Sequence, residues 1–311
     1  MQCPHSRSIQ WLASAQLRAW LLVLSLMAVA PLAYAQKEAG GGLQQAADKK
    51  PDAGQSPGKP YTTIFYPSGT LRIEAYVYKP EGEGPFPVVI YNHGSRAGRE
   101  RLEAPFLYVG TMLTARGYAV FVPERRGYGK SDGSTFGEEV GNDVSQKLIH
   151  RFYEESSDVL AGLEYLKSVP FVDSKRIAIM GWSHGGIATV LTASQSDAFR
   201  AVINQAGGAL TWNRSSDLRH TLTEAARKIK APVLCLDAEN DANPESVRKV
   251  CDSARSAGVA AKTIIYPPFT PSNPPPNIAP GHLIFTAEGM PIWRGDVQAF
   301  LEPVLENRQE H

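Results

Sequence analysis

Five nearly unbroken apolar runs constrain this chain most: FPVVIYN, YAVFVPE, RIAIMGW, AVINQAG and PVLCLDA, all within residues 86–238. A strand with one wet face alternates apolar and polar residues; these runs do not, so they are expected to be covered on both faces. Stretches of helical spacing separate them, such as APFLYVGTMLTARG, SSDVLAGLEYLKSVP and HGGIATVLTAS. Strand–helix alternation of this kind implies an α/β fold with a mostly parallel, doubly wound sheet. Ahead of it, TTIFYPSGTLRIEAYVYKP holds two β-rich runs around Pro67-Ser68-Gly69, an antiparallel strand pair. The stretch between the strands at 201–206 and 233–237 has room for about one helix, so little or no lid is expected.

The termini read differently. AWLLVLSLMAVAPLAYA is the length of a signal-peptide apolar region and ends in Ala33-Tyr34-Ala35, so residues 1–35 are read as a signal peptide cleaved after Ala35. No Cys follows the cleavage site, so neither a lipid anchor nor a stable membrane anchor is expected. The mature protein is then periplasmic or secreted. Residues 36–60, rich in Gly, Ala, Gln, Lys and Pro, read as a disordered linker. Residues 61–311 read as one folded domain. The net charge is +1 with no basic face, which argues against nucleic acid as a partner. Three cysteines occur, one of them in the leader. Cys235 and Cys251 are read as two buried thiols in preference to a disulfide.

In a sheet of this type ligands bind beyond the carboxyl ends of the strands. Ser183 stands there, inside Gly181-Trp182-Ser183-His184-Gly185, between a strand run and a helix run. The G-x-S-x-G pattern is steric. The nucleophile projects from a sharp strained turn, and glycines two before and two after let neighbouring chain pass close. A serine hydroxyl needs a base, and the base needs an orienting acid. Asp241, in the loop after the next strand run, is the acid of choice, with Glu239 in reserve. His282, in PGHLIF after the last strand, is the base. The oxyanion donors are expected to be the backbone N–H groups of Ser95 and His184. Arg96, Arg125 and Arg126 are candidate substrate contacts, and Arg99 and Arg101 are further basic residues near the pocket. No paired His/Asp spacing recurs, so no metal or other cofactor is implied.

These residues together resemble the α/β-hydrolase superfamily over about residues 61–305. The marks, in order, are YNHG, ERRGYGKSDG, GWSHGG, ENDANP and PGH. The order Ser, Asp, His is the one that superfamily uses. The layout is similar to the dienelactone-hydrolase-like branch, in which dienelactone hydrolases proper carry Cys where this chain has Ser183. The resemblance therefore implies a serine hydrolase acting on a small carboxylic ester or lactone. The prolyl-oligopeptidase catalytic domain shares the motifs, which keeps a peptidase or amidase as the alternative, although it normally carries a propeller for which this chain has no room. A non-catalytic binding protein on a hydrolase scaffold is the third reading.

Overall fold

The computed structural model describes residues 58–96, 99–100 and 105–306. The expected signal peptide, the linker up to residue 57 and Arg101 lie outside the described residues. Chain order begins with an antiparallel hairpin, β1 (Thr62–Ser68) and β2 (Leu71–Tyr78). Gly69 turns it at φ 58°, a left-handed conformation that favours glycine. β3 (Phe86–Asn92), α1 (Leu107–Thr114), β4 (Ala119–Glu124), α2 (Phe136–Glu139) and α3 (Gln146–Lys167) follow. Next come β5 (Val172–Trp182), α4 (His184–Ala193), β6 (Phe199–Gln205), α5 (Ser216–Ala226), β7 (Val233–Ala238), α6 (Glu245–Ser256) and β8 (Ala261–Tyr266). A 3-10 helix, Pro280–Phe285, and α7 (Met290–Leu305) complete the described chain.

The eight strands form one sheet in the order β1-β2-β4-β3-β5-β6-β7-β8. Neighbours from β4 to β8 run parallel; β1/β2 and β2/β4 are antiparallel. This is the mostly parallel, doubly wound α/β sheet with an antiparallel start that the apolar runs imply. Both faces are covered. In β3, Val88 and Ile90 face the core under α3, α4, α5 and α6, while Val89 and Tyr91 face the core under α1 and α7. That period of two, with both sets buried, is why the run reads as continuously apolar. From β3 the chain moves outward to β4, then returns to β5 on the other side of β3. The crevice at that reversal, beyond the carboxyl ends of β3 and β5, is where such sheets bind ligands. Between β6 and β7 stands α5, without a large lid.

Three details differ from the sequence expectation. α3 begins at Gln146, ten residues before the apolar pattern that starts at Ser156. α7 begins at Met290 rather than at Gly295, with Pro291 in its first turn. Cys235 and Cys251 are buried as expected, but they form a disulfide between β7 and α6, Cα atoms 6.2 Å apart, and are not two free thiols. The strand and the helix that follows it pack face to face, which brings both sulfur atoms to one place. Their separation of 16 residues closes a loop worth about 3 kcal/mol of unfolded-state entropy. Replacing both cysteines by alanine is therefore expected to lower the unfolding free energy by about that amount in urea titration; an unchanged midpoint would show that the bond does not restrain the unfolded chain.

Candidate active site

Ser183 sits between β5 and α4 with φ 57° and ψ −118°, a strained conformation for a residue with a side chain. The turn is held because its neighbours cannot be larger. A Cβ at Gly181 would overlap the Gly185 carbonyl, and one at Gly185 would overlap the Asn92 carbonyl at the end of β3. The glycines of G-x-S-x-G thus let the turn close on itself and α4 approach β3. The result is a hydroxyl projecting at the amino end of α4, where backbone N–H groups have no intrahelical acceptors.

The geometry brings three of the expected residues into one chain of hydrogen bonds. His282 Nε2 lies 2.8 Å from Ser183 Oγ, and His282 Nδ1 lies 2.7 Å from Asp241 Oδ2. Asp241 and His282 are both buried, whereas Glu239, the reserve acid, is exposed. His282 lies on the 3-10 helix, not in an irregular loop, and Trp182 Nε1–H donates to its carbonyl at 3.0 Å. A Cβ at Gly281 would meet Asn240 and the Asp241 backbone, so glycine there lets the base and acid segments touch. An ionised acid on Nδ1–H leaves the Nε2 lone pair free for a serine proton.

A second carboxyl stands behind the first. Asp237, the fifth residue of β7, is fully buried and accepts from the Ala238 N–H at 2.8 Å. Burial, then the neighbouring Asp241 charge, raises its pKa well above the usual carboxylate range. A group whose folded pKa is raised binds more protons folded than unfolded, so stability falls as pH rises above the unfolded value. Asn keeps the acceptor for the Ala238 N–H and carries no charge at any pH. Asp237→Asn is therefore expected to flatten the decline of Tm above about pH 4 while keeping turnover; a steeper decline would mean that Asp237 is ionised.

Ser183, Ser95 and His184 share a cavity of about 280 Å³. Its walls are mixed: Phe136, Leu148, Phe152 and Ile187 give apolar surface, and Asn142, Asp143 and Thr211 add polar groups to those of Ser95, Ser183 and His184. The three arginines offered as substrate contacts do not line it. Arg125 is fully buried, its Nε on Glu155 at 2.8 Å and its Nη2 on the His93 carbonyl at 2.9 Å. Arg126 grips Asp158 through Nε and Nη2, each at 2.9 Å, and Arg96 pairs with buried Glu124. Arg99 donates to the carbonyls of Ser131 and Gly133. These arginines hold loops because each lies within reach of an acid or carbonyl that only the fold supplies. The arginine that does line the cavity is Arg214, an exposed residue in the segment after β6. Its place beyond a strand end was the only signal for it in the sequence.

Sequence reasoning also missed Glu155 and the ring of His184. His184 Nε2 lies 2.7 Å from Glu155 Oε2, and Arg151 Nε lies 2.9 Å from Glu155 Oε1. Burial raises the Glu155 carboxyl, but His184, Arg125 and Arg151 outweigh it and hold the pKa well below the usual range. Burial lowers the His184 pKa against the pull of Glu155. Among the described residues one group, Glu139, His150 and Glu154, comes close enough to share a metal ion. Arg151 and Arg126 already pair with its two carboxylates.

Comparison with known proteins agrees with this geometry at the level of fold and class. The profile described as the prolyl oligopeptidase family matches residues 106–232, less than half of the chain. The quorum-quenching protein AidA of Acinetobacter baumannii is 26% identical over 142 residues, 46% of this chain and 42% of that one. A Methylorubrum extorquens protein provisionally named a carboxymethylenebutenolidase is 26% identical over 202 residues, 63% of this chain and 66% of that one. The acylaminoacyl peptidase of Pyrococcus horikoshii superposes with TM-score 0.61 at 21% identity, over 81% of this chain and 43% of that one. Est1E of Butyrivibrio proteoclasticus, with ferulic acid bound, superposes with TM-score 0.58 at 19% identity, over 78% of this chain and all of that one. The chain thus spans less than half of AidA and of the acylaminoacyl peptidase. It has the α/β-hydrolase fold, with serine at the nucleophile position, and its likenesses are to serine hydrolases of the peptidase and esterase type.

Proposed function

We propose that the protein is an exported serine hydrolase that cleaves carboxylic esters or lactones through an acyl-enzyme. The observation that carries the reading is the unbroken chain from Ser183 through His282 to Asp241. His282 Nε2 takes the Ser183 proton as Oγ attacks the ester carbonyl, and Asp241 stabilises the imidazolium. The backbone N–H groups of Ser95 and His184 receive the developing oxyanion, and His282 returns the proton to the leaving alcohol. Water, activated by the same histidine, then frees the acyl group. A cavity of about 280 Å³ that sets apolar side chains beside polar groups suits a small acyl group. No step calls for a metal or cofactor.

Export is part of the proposal: residues 1–35 as the signal peptide, 36–60 as the linker and 61–311 as the catalytic domain. The Ala33-Tyr34-Ala35 site and the Cys235–Cys251 disulfide support it, since disulfides persist in oxidising compartments. A second reading, peptidase or amidase on the same three residues, is favoured by the prolyl oligopeptidase profile match. A panel of esters of graded chain length, lactones and aminoacyl amides tests the choice. The ester reading expects the highest kcat/KM among short-chain esters or lactones; a preference for amides overturns it. Failure of a fluorophosphonate to label Ser183 would favour a binding protein.

A further inference from the structure

Glu155 takes no part in the bond-making proposed above, yet it reaches both segments that carry the oxyanion donors. On one side its Oε2 holds the His184 ring at 2.7 Å, and His184 is the first residue of α4 after the nucleophile. On the other it holds Arg125 Nε at 2.8 Å, and Arg125 Nη2 donates to the carbonyl of His93, two residues before Ser95. Ser95 Oγ lies 3.4 Å from His184 Nδ1, so the two segments also meet directly. Arg151, one turn earlier on α3, holds the second carboxylate oxygen at 2.9 Å. Glu155, Arg125 and Arg151 are all fully buried.

We propose that Glu155 is a positioning residue that sets the oxyanion hole, fixing the Ser95 and His184 N–H groups at one separation by holding the nucleophile turn and the β3–α1 loop from behind. The inference rests on the serine hydrolase reading. A buried carboxylate costs stability unless fully paired, and a well-packed apolar residue would fill the space as well. What an apolar residue would not supply is direction. The carboxylate accepts along defined lines from a ring N–H and from a rigid guanidinium fork. It also settles the tautomer of His184. With Nε2–H donated to Glu155, Nδ1 carries the lone pair and accepts from the Ser95 hydroxyl. The pull on His184 and the pull on the His93 carbonyl both pass through one oxygen, Oε2. Moving that oxygen would change the distance between the two donors without touching Ser183, His282 or Asp241.

The test is Glu155→Gln, read with a matched pair of substrates, an ester and its thionoester. A thiocarbonyl sulfur is larger and a weaker acceptor, so it draws less on a preorganised hole. The expected result is a fall in kcat for the ester of about 10- to 100-fold, with KM changed less than about threefold. The ester-to-thionoester ratio of kcat should fall by a similar factor. Arg125→Lys keeps the charge but loses the fork to the His93 carbonyl, and it should move both readouts in the same direction. It carries the test if Glu155→Gln melts below the assay temperature. A kcat loss with an unchanged ester-to-thionoester ratio, in either folded variant, overturns the proposal, as does full activity in both. Ser183→Ala in the same assay separates the two readings. Turnover that survives it overturns the serine hydrolase reading and this proposal together. Turnover lost there, with the ratio unchanged in the Glu155 and Arg125 variants, overturns this proposal alone.

Discussion

Ser183→Ala is expected to lower kcat toward a short-chain chromogenic ester by on the order of 10⁵-fold or more. The variant removes the hydroxyl oxygen that His282 Nε2 faces at 2.8 Å, and among the described residues no other hydroxyl is joined to His282. Alanine fits the turn without new contacts, because the space around Ser183 is set by Gly181 and Gly185 rather than by its own Oγ. The loss should therefore appear in kcat with the fold intact, and Tm should stay within a few degrees. Residual activity above the water rate would come from the N–H groups of Ser95 and His184, which the variant leaves in place. Steady-state turnover and fluorophosphonate labelling of the two proteins measure the effect. Wild-type rates in the variant would remove Ser183 from the mechanism.

The second large effect is expected from Asp241→Asn, a drop in kcat of about 10⁴-fold at neutral pH. The cause is tautomeric. Asp241 accepts from His282 Nδ1–H at 2.7 Å and leaves the Nε2 lone pair toward Ser183. An amide N–H in that place holds the opposite tautomer, with a proton on Nε2 that blocks transfer from the serine. Asp237 does not substitute, because its Oδ1 is taken by the Ala238 N–H at its own strand end and His282 Nδ1 faces Asp241. Glu239→Gln serves as the contrast. Its side chain is exposed, so its turnover should stay within about twofold. Equal losses in the two variants would mean that the loop as a whole, and not the Asp241 carboxylate, is what the reaction needs.

The legible parts of the site were those whose chemistry follows from local sequence. Ser183 is marked by glycines that a tight strand-to-helix turn requires. Asp241 and His282 are marked by their places after later strand runs. Arg125 and Arg126 read as candidate substrate contacts because their acids, Glu155, Glu154 and Asp158, lie about thirty positions downstream, on α3. The first ten residues of that helix escaped for the same reason. Its inward face there carries Arg151 and Glu155 in place of apolar residues, so the apolar period of a buried helix is broken. The disulfide escaped because Cys is as common in a reduced core as in a bridge.

From the sequence alone followed the sheet class, the two-sided covering of its strands and the identity and chain order of the three residues that meet at Ser183. Each depends on local pattern: hydrophobic period, turn chemistry and position after a strand. The tertiary structure decided which charges face the cavity, which are buried in pairs, and which oxygen sits behind the nucleophile turn. Those are long-range pairings, and a charge has no orientation until packing supplies its partner. Glu155 shows the difference most clearly: in sequence it is one acid just ahead of the amphipathic stretch, and in the fold its Oε2 meets both Arg125 and His184.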